Sequence, residues 1–161
     1  MFKVNIYIAV DSANTRKDKR SYGYRISCES RRGERTAEGE GEIDGTYHEA
    51  SLAAINSALG RLNQSCEVFM HCEDRFVLNM INANLERWAG NDFKTAKGRP
   101  VENEAEWREL WRLTRGQLIR TKIGGNKHID KIKEKIGGSK ERKNGRNDVS
   151  EKDRRKEAQE A

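Results

Sequence analysis

Four acidic residues stand at points of this sequence where the functional side chains of open α/β sheets gather. Asp11 follows the apolar run that ends at Val10, and Glu49 lies in the first turn of a predicted helix. Glu73 follows a second apolar run, and Asp130 begins the last predicted helix. Sites in such sheets collect at strand ends and helix starts. Carboxylates brought together there could hold two divalent ions, about 4 Å apart, for chemistry on a phosphodiester.

Each acid also has a plainer explanation. Glu49 or Asp130 alone could simply complement the dipole at the start of its helix. Asp11 alone could be an ordinary turn residue after a strand. The four acids together form a more specific pattern than any one of them.

The apolar pattern predicts the elements that position these acids. Residues 2–10 are apolar on both faces, which is typical of a central strand covered on both sides. Further strands are predicted at 22–28, 36–43, 68–72 and 119–123, and a basic loop at 15–21. Helical spacing of apolar residues predicts helices at 48–62, at 77–88, around 107–111 and at 129–136. Thr46 and Asn103 are expected to cap the first and third of these helices.

The predicted order is therefore βββαβααβα, a mixed α/β sheet with helices packed against it. Residues 1–136 are expected to form one domain. From 137 to 161 the chain is charged and nearly free of apolar residues, so we expect a disordered or frayed helical tail.

Composition narrows the class of protein. The 161 residues carry a formal net charge of +6, which favours polyanionic partners without identifying one. Three cysteines without paired spacing argue against a zinc site or a disulfide framework, so we expect a reduced, cytoplasmic chain. No apolar run is long enough to span a bilayer, so we expect no membrane partner. We also expect a monomer.

Three stretches carry a resemblance to a known family. The first is Glu67 to Val77, where a strand leads into an acid and an aromatic–valine pair. The second combines Trp88, the segment KTAKGRPVEN from Lys94 to Asn103, and Trp107. The third is NKHID, from Asn126 to Asp130. With these, residues 1–136 resemble the bacterial type-one ribonuclease H family.

The resemblance implies a ribonuclease H-like fold with five strands and helices on both faces of the sheet. It implies that Asp11, Glu49, Glu73 and Asp130 are the catalytic acids and bind two Mg²⁺ or Mn²⁺ ions. The implied activity is endonucleolytic hydrolysis of the RNA strand of RNA–DNA hybrids by a two-metal mechanism. The residues implied to contact nucleic acid are Trp88, Lys94, Lys97, Arg99 and Asn126. Basic residues beside the aromatic Trp88 and Phe93 suit tracking of a nucleic-acid backbone.

The sequence departs from the family pattern at several positions. The third acid of the family is normally aspartate, and Glu73 is one methylene longer, so Asp74 is an alternative ligand. The turn after the first strand is Asp-Ser-Ala-Asn and a charged loop, where the family has Asp-Gly-Ser and glycines. The mobile histidine of the family has no clear counterpart, although His128 is nearby. We interpret His48 as a structural or substrate-contacting residue rather than a ligand.

Two alternative functions remain open at this point. A catalytically impaired ribonuclease H-like module would bind nucleic acid without cleaving it, and the change at Glu73 motivates that alternative. The retention of all four acids argues against it. A DNA resolvase or exonuclease on the same fold is the other alternative, against which the segment that begins at Lys94 argues.

Overall fold

Five strands form one mixed sheet in the computed structural model, which describes residues 1–13 and 16–137. The strands are β1 (Phe2–Val10), β2 (Asp18–Ser30), β3 (Gly33–Gly45), β4 (Cys66–Cys72) and β5 (Leu118–Ile123). The helices are α1 (Tyr47–Leu59), α2 (Arg75–Ala83), α3 (Leu85–Gly90), α4 (Glu104–Thr114) and α5, at residues 127–137.

The central position of β1 is confirmed by the order of the sheet, β3-β2-β1-β4-β5. β1 pairs with β2 in antiparallel fashion and with β4 in parallel fashion, and β5 runs parallel to β4. Because β1, β4 and β5 are parallel, their carboxyl ends meet at one edge of the sheet. That edge is the one where ligand sites of open α/β sheets form.

The two faces of β1 pack against different helices. Ile6 and Ile8 belong to the larger core, together with buried residues of α1, α2 and α4. Tyr7 and Ala9 point the other way and pack with Ile129, Ile132 and Ile136 of α5. Because successive side chains of a strand point to opposite faces of the sheet, β1 is buried on both sides. The predicted α/β sheet with helices on both faces is confirmed.

The basic loop predicted at 15–21 is in part a strand, because β2 begins at Asp18 and pairs with β3 from there. Arg20 within it is only 1% exposed. Its guanidinium donates to the carbonyl oxygens of Gly45 at 2.8 Å and Ser12 at 3.0 Å. Because carbonyl oxygens satisfy its guanidinium, Arg20 can be buried within a strand. The polar character of residues 15–21 had instead indicated a loop.

The helix predicted at 77–88 is divided at Asn84, which ends α2 and precedes α3. Asparagine is a weak helix former, so a helix ends readily at this residue. The apolar spacing continues past Asn84 although the backbone is not helical there. Asn103 does precede α4, but with a φ of 62° and no side-chain hydrogen bond to the helix. The predicted side-chain cap at Asn103 was therefore wrong.

Within the described residues, no helix combines the length and the apolar character that a membrane span requires. The predicted tail at 137–161 lies outside the described residues except for residue 137, which belongs to α5.

Candidate active site

Asp11 and Glu73 leave neighbouring strands at the same edge of the sheet. Asp11 directly follows β1, and Glu73 directly follows β4. The parallel pairing of these strands extends to Tyr7 and His71, so both acids come after the last paired positions. The amide of Asp11 donates to the carbonyl of Ser21 at 3.0 Å, which ties the end of β1 to β2.

Glu49 is held by the start of its own helix. Its Oε1 accepts from the amide of Thr46 at 2.8 Å, and its amide donates to Thr46 Oγ1 at 3.1 Å. This reciprocal pair is a capping box, which satisfies two amides that the helix leaves without partners. The predicted cap at Thr46 is confirmed, and the carboxylate of Glu49 has a structural role in this conformation.

Glu73 has a lysine partner. The Nζ atom of Lys133, on α5, lies 2.5 Å from Glu73 Oε1. On its other side the carboxylate approaches the turn before α5, since a Cβ added to Gly125 would lie 2.6 Å from Glu73 Oε2. The third predicted acid is therefore close to α5, the helix that carries Asp130.

Asp74, the alternative to Glu73, is buried with an exposed fraction of 1%. Its Oδ1 accepts from the amide of Val77 at 3.1 Å and so caps α2. Its Oδ2 lies within hydrogen-bond distance of His48 Nδ1, at 2.8 Å. Both oxygens of Asp74 have protein partners, which favours Glu73 over Asp74 as the acid available to a ligand.

Asn126 and Asp130 belong to the start of α5. Asn126 Oδ1 accepts from the amide of Ile129 at 3.0 Å, and its carbonyl accepts from the amide of Asp130 at the same distance. Asn126 thus caps α5, while Asp130 is exposed in the first turn. This cap places Asn126 next to the helix turn that carries Asp130.

His128 is part of a cluster of rings on the α5 side of the sheet, in which His71 stacks on Tyr7 and His128 lies tilted against it. Its ring centroid lies 4.4 Å from that of Tyr7, which in turn lies 4.5 Å from that of His71. Burial, followed by the nearby cations Arg25, Lys127 and Lys131, lowers the pKa of His128. Partial burial in this cluster gives His128 a packing role.

The arrangement of the acids does not fit a metal centre as it stands. Among residues 1–13 and 16–137, no group of three or more His, Cys, Asp or Glu side chains is placed to hold a metal ion. Glu49 is bonded to its helix start and Glu73 to Lys133. Two of the four predicted acids thus already have a protein partner at one carboxylate oxygen.

A cleft of about 480 Å³ opens beside the start of α1, where Glu49 lies. Its mixed lining consists of Thr46, His48, Phe76, Met80, Trp88, Thr95, Val101, Glu102, Asn103 and Trp107. His48 links the cleft to the acids, since it precedes Glu49 in α1 and bonds to Asp74, the neighbour of Glu73. Phe76 was not predicted as a cleft residue, although 49% of it is exposed and its ring lies tilted against that of His48, with 4.6 Å between centroids.

The predicted basic segment forms a tight turn at the rim of the cleft. The amide of Thr95 donates to the carbonyl of Arg99 at 2.7 Å, which closes the turn. Lys94, Lys97 and Arg99 are all exposed. Phe93, the aromatic residue beside these basic side chains, is buried and anchors the turn in the core. Trp88 is half-buried and packs edge-on against Trp107, at 5.2 Å between ring centroids.

Comparison with curated proteins gives relatives of one name. Ribonuclease HI of Xylella fastidiosa is 33% identical over 79 residues, 49% of this chain and 53% of that protein. Ribonuclease H of Albidiferax ferrireducens is 29% identical over 104 residues, 57% of this chain and 68% of that protein. The chain thus spans about half the length of the Xylella relative. No protein-family model matches the chain.

Solved structures share the fold. LC9-RNase H1, a type 1 RNase H with the type 2 active-site motif, aligns with a TM-score of 0.63 at 15% identity, over 84% of this chain and 70% of that one. The RNase H domain of prototype foamy virus aligns with a TM-score of 0.58 at 16% identity, over 84% and 92%. At these identities the likeness concerns the fold alone. Together, the curated relatives and the shared fold confirm the predicted resemblance of this chain to the ribonuclease H family.

Proposed function

We propose that this chain is a ribonuclease H-type nuclease that hydrolyses the RNA strand of RNA–DNA hybrids. One observation carries the proposal: a cleft with aromatic side chains in its lining lies beside the start of α1, which carries Glu49, and includes Thr95 of the basic segment. His48 lines the cleft and bonds to Asp74 at the end of β4. A duplex in this cleft would lie next to Glu49 and to the junction of β4 and α2 that carries Glu73.

The acids proposed for cleavage are Asp11, Glu49, Glu73 and Asp130. The proposed cofactors are two Mg²⁺ or Mn²⁺ ions, in keeping with the resemblance to the ribonuclease H family. Glu49 and Glu73 each have a protein partner at Oε1, Thr46 and Lys133 respectively, and Oε2 is the oxygen that either could offer to a metal ion.

The surface proposed for the hybrid consists of Trp88, Lys94, Lys97, Arg99 and Asn126. The three basic side chains are exposed at the rim of the cleft and suit contacts with phosphates, which fix position without reading sequence. Recognition would then depend on the shape of the duplex and its 2′-hydroxyls. A foamy viral protease-reverse transcriptase with the same fold has been solved in complex with an RNA/DNA hybrid, with a TM-score of 0.60 at 17% identity, over 81% of this chain and 19% of that one.

A second candidate function is a module that binds hybrids without cleaving them. The partners of Glu49, Glu73 and Asp74 favour it, since each of these carboxylates already accepts from a protein group. A carboxylate engaged in this way has fewer lone pairs left for a metal ion. The cleft and its basic rim serve either function equally.

The test is cleavage of a labelled RNA–DNA hybrid with Mg²⁺, Mn²⁺ or EDTA, beside single-stranded RNA and duplex DNA. We expect metal-dependent cutting of the RNA strand of the hybrid alone, and we expect Asp11→Asn to abolish it. Tight binding of the hybrid without cutting under either metal would establish the second candidate. Undiminished cutting by Asp11→Asn would refute the proposed site.

A further inference from the structure

Lys133 and Glu73 form an ion pair across the candidate active site. The Nζ and Oε1 atoms are 2.5 Å apart, and the two side chains are 40% and 34% exposed. The residues are far apart in the sequence, so the contact joins α5 to the end of β4. It places a positive charge at the third of the four predicted acids.

The turn before α5 lies close to the other oxygen of the same carboxylate. A Cβ on Gly125 would lie 2.6 Å from Glu73 Oε2, so a larger residue there would require the end of the Glu73 side chain to move. Oε1 of Glu73 thus faces Lys133, and Oε2 lies near the backbone of Gly125.

Lys133 shares one face of α5 with Asp130. Residues three apart are neighbours on a helix surface, so Asp130 and Lys133 lie side by side. Lys135, two positions further along, pairs instead with Glu38 of β3 at 2.8 Å. Of these two lysines on α5, Lys133 is therefore the one whose charge lies among the predicted acids.

We propose that the Lys133 ammonium takes the place of a divalent cation at Glu73. A metal ion must then displace the ammonium before Glu73 can bind that ion. The inference rests on the proposed function, because it concerns an acid that the resemblance assigns to the metal centre. An ammonium neutralises the carboxylate and repels a divalent ion that approaches it. It accounts for the disagreement between the four retained acids and the lack of a metal-binding group among the described residues.

The test is direct binding of Mn²⁺ to the full chain, followed by the electron paramagnetic resonance signal of the free ion. Lys133→Met removes the charge and keeps the length of the side chain, and Lys133→Arg keeps the charge. Lys135→Met is the matched control, because it removes the same charge from α5 at a pair with Glu38. We expect Lys133→Met to bind Mn²⁺ about tenfold more tightly than the unchanged chain. Lys133→Arg and Lys135→Met should bind it as the unchanged chain does.

Three results would overturn the inference. The first is equal Mn²⁺ affinity in Lys133→Met and the unchanged chain, and the second is no measurable binding by Lys133→Met. The third is an equal gain in Lys135→Met, which would make the effect one of overall charge. Hybrid cleavage by the same proteins separates this inference from the proposed function. If the protein cleaves the hybrid but Lys133→Met does not change Mn²⁺ affinity, only the inference about Lys133 is rejected. If Lys133→Met raises Mn²⁺ affinity but no protein cleaves the hybrid, only the proposed nuclease function is rejected.

Discussion

At the scale of the residue, Asp74 shows how a buried acid can be structural within a candidate active site. One oxygen caps α2 through the amide of Val77, and the other fixes the ring of His48. A buried carboxylate is tolerated only with such hydrogen bonds, because desolvation without them is costly. Asp74 thereby fastens α1 to the junction of β4 and α2, at the wall of the cleft.

We expect Asp74→Ala to lower the free energy of unfolding by about 2–3 kcal/mol, because it removes a helix cap and leaves the ring nitrogen of His48 without its partner. Urea-induced unfolding followed by circular dichroism measures this change. Glu109→Ala is the control, since it breaks an exposed i,i+3 pair with Arg112 and should cost about 0.5 kcal/mol or less. A loss at Asp74 no larger than that of the control would show that the hydrogen bonds of Asp74 contribute little.

At the scale of the element, the packing of α5 on the sheet depends on the absence of a side chain at Gly23. A Cβ at this position of β2 would lie 2.7 Å from Ile132 Cγ2 and 3.3 Å from Ile136 Cγ2. The close approach seats α5 on β1 and β2. Asp130 and Lys133 reach the edge of the sheet only because α5 is seated there.

We expect Gly23→Ala to destabilise the protein by about 1–3 kcal/mol, because the added methyl group forces α5 away from the sheet. Gly90→Ala is the matched control, since no atom lies within 4 Å of the added Cβ and the residue ends α3. Chemical unfolding gives the two free energies, and hydrogen exchange of the α5 amides reports where the change acts. Equal stability of the two variants would contradict the tight seating of α5.

The elements were largely predictable from the sequence because they follow from local apolar periodicity. The run from Phe2 to Val10 indicated a central strand, and the helical spacing of Ile129, Ile132 and Ile136 indicated α5. The break at Asn84 and the early start of β2 at Asp18 were not predictable. Each depends on backbone hydrogen bonds that apolar spacing does not report.

The positions of the acids at element ends were likewise predictable, whereas their partners were not. Glu73 contacts Lys133, and Asp74 contacts His48, each across a long separation in sequence. Such contacts depend on how the helices pack against the sheet, and residue types alone do not determine that packing. The capping box of Thr46 and Glu49 is the exception, because it is a local pattern visible in the sequence.

At the scale of the whole molecule, basic side chains are distributed over both ends of the sheet. Lys94, Lys97 and Arg99 lie at the rim of the cleft, next to the edge that carries the acids. A second exposed group lies at the turn between β2 and β3 and comprises Arg31, Arg32 and Arg35. Because β2 runs antiparallel to β1, that turn is at the opposite edge of the sheet from Asp11. The two groups carry the same charge but lie at different positions on the molecule.

Their comparison tests whether the cleft or the overall charge of +6 binds the hybrid. We expect replacement of Lys94, Lys97 and Arg99 together by glutamine to weaken binding and to flatten its salt dependence. Each lost phosphate contact lowers the slope of log affinity against log salt concentration by about 0.7–0.9, so three contacts lower it by about 2. Replacement of Arg31, Arg32 and Arg35 by glutamine removes the same charge and should leave that slope nearly unchanged. Fluorescence anisotropy of a labelled hybrid, measured in EDTA over a series of salt concentrations, separates binding from cleavage. Equal slopes for the two triple variants would mean that the hybrid is attracted by net charge, and the assignment of the cleft as its binding surface would then fail.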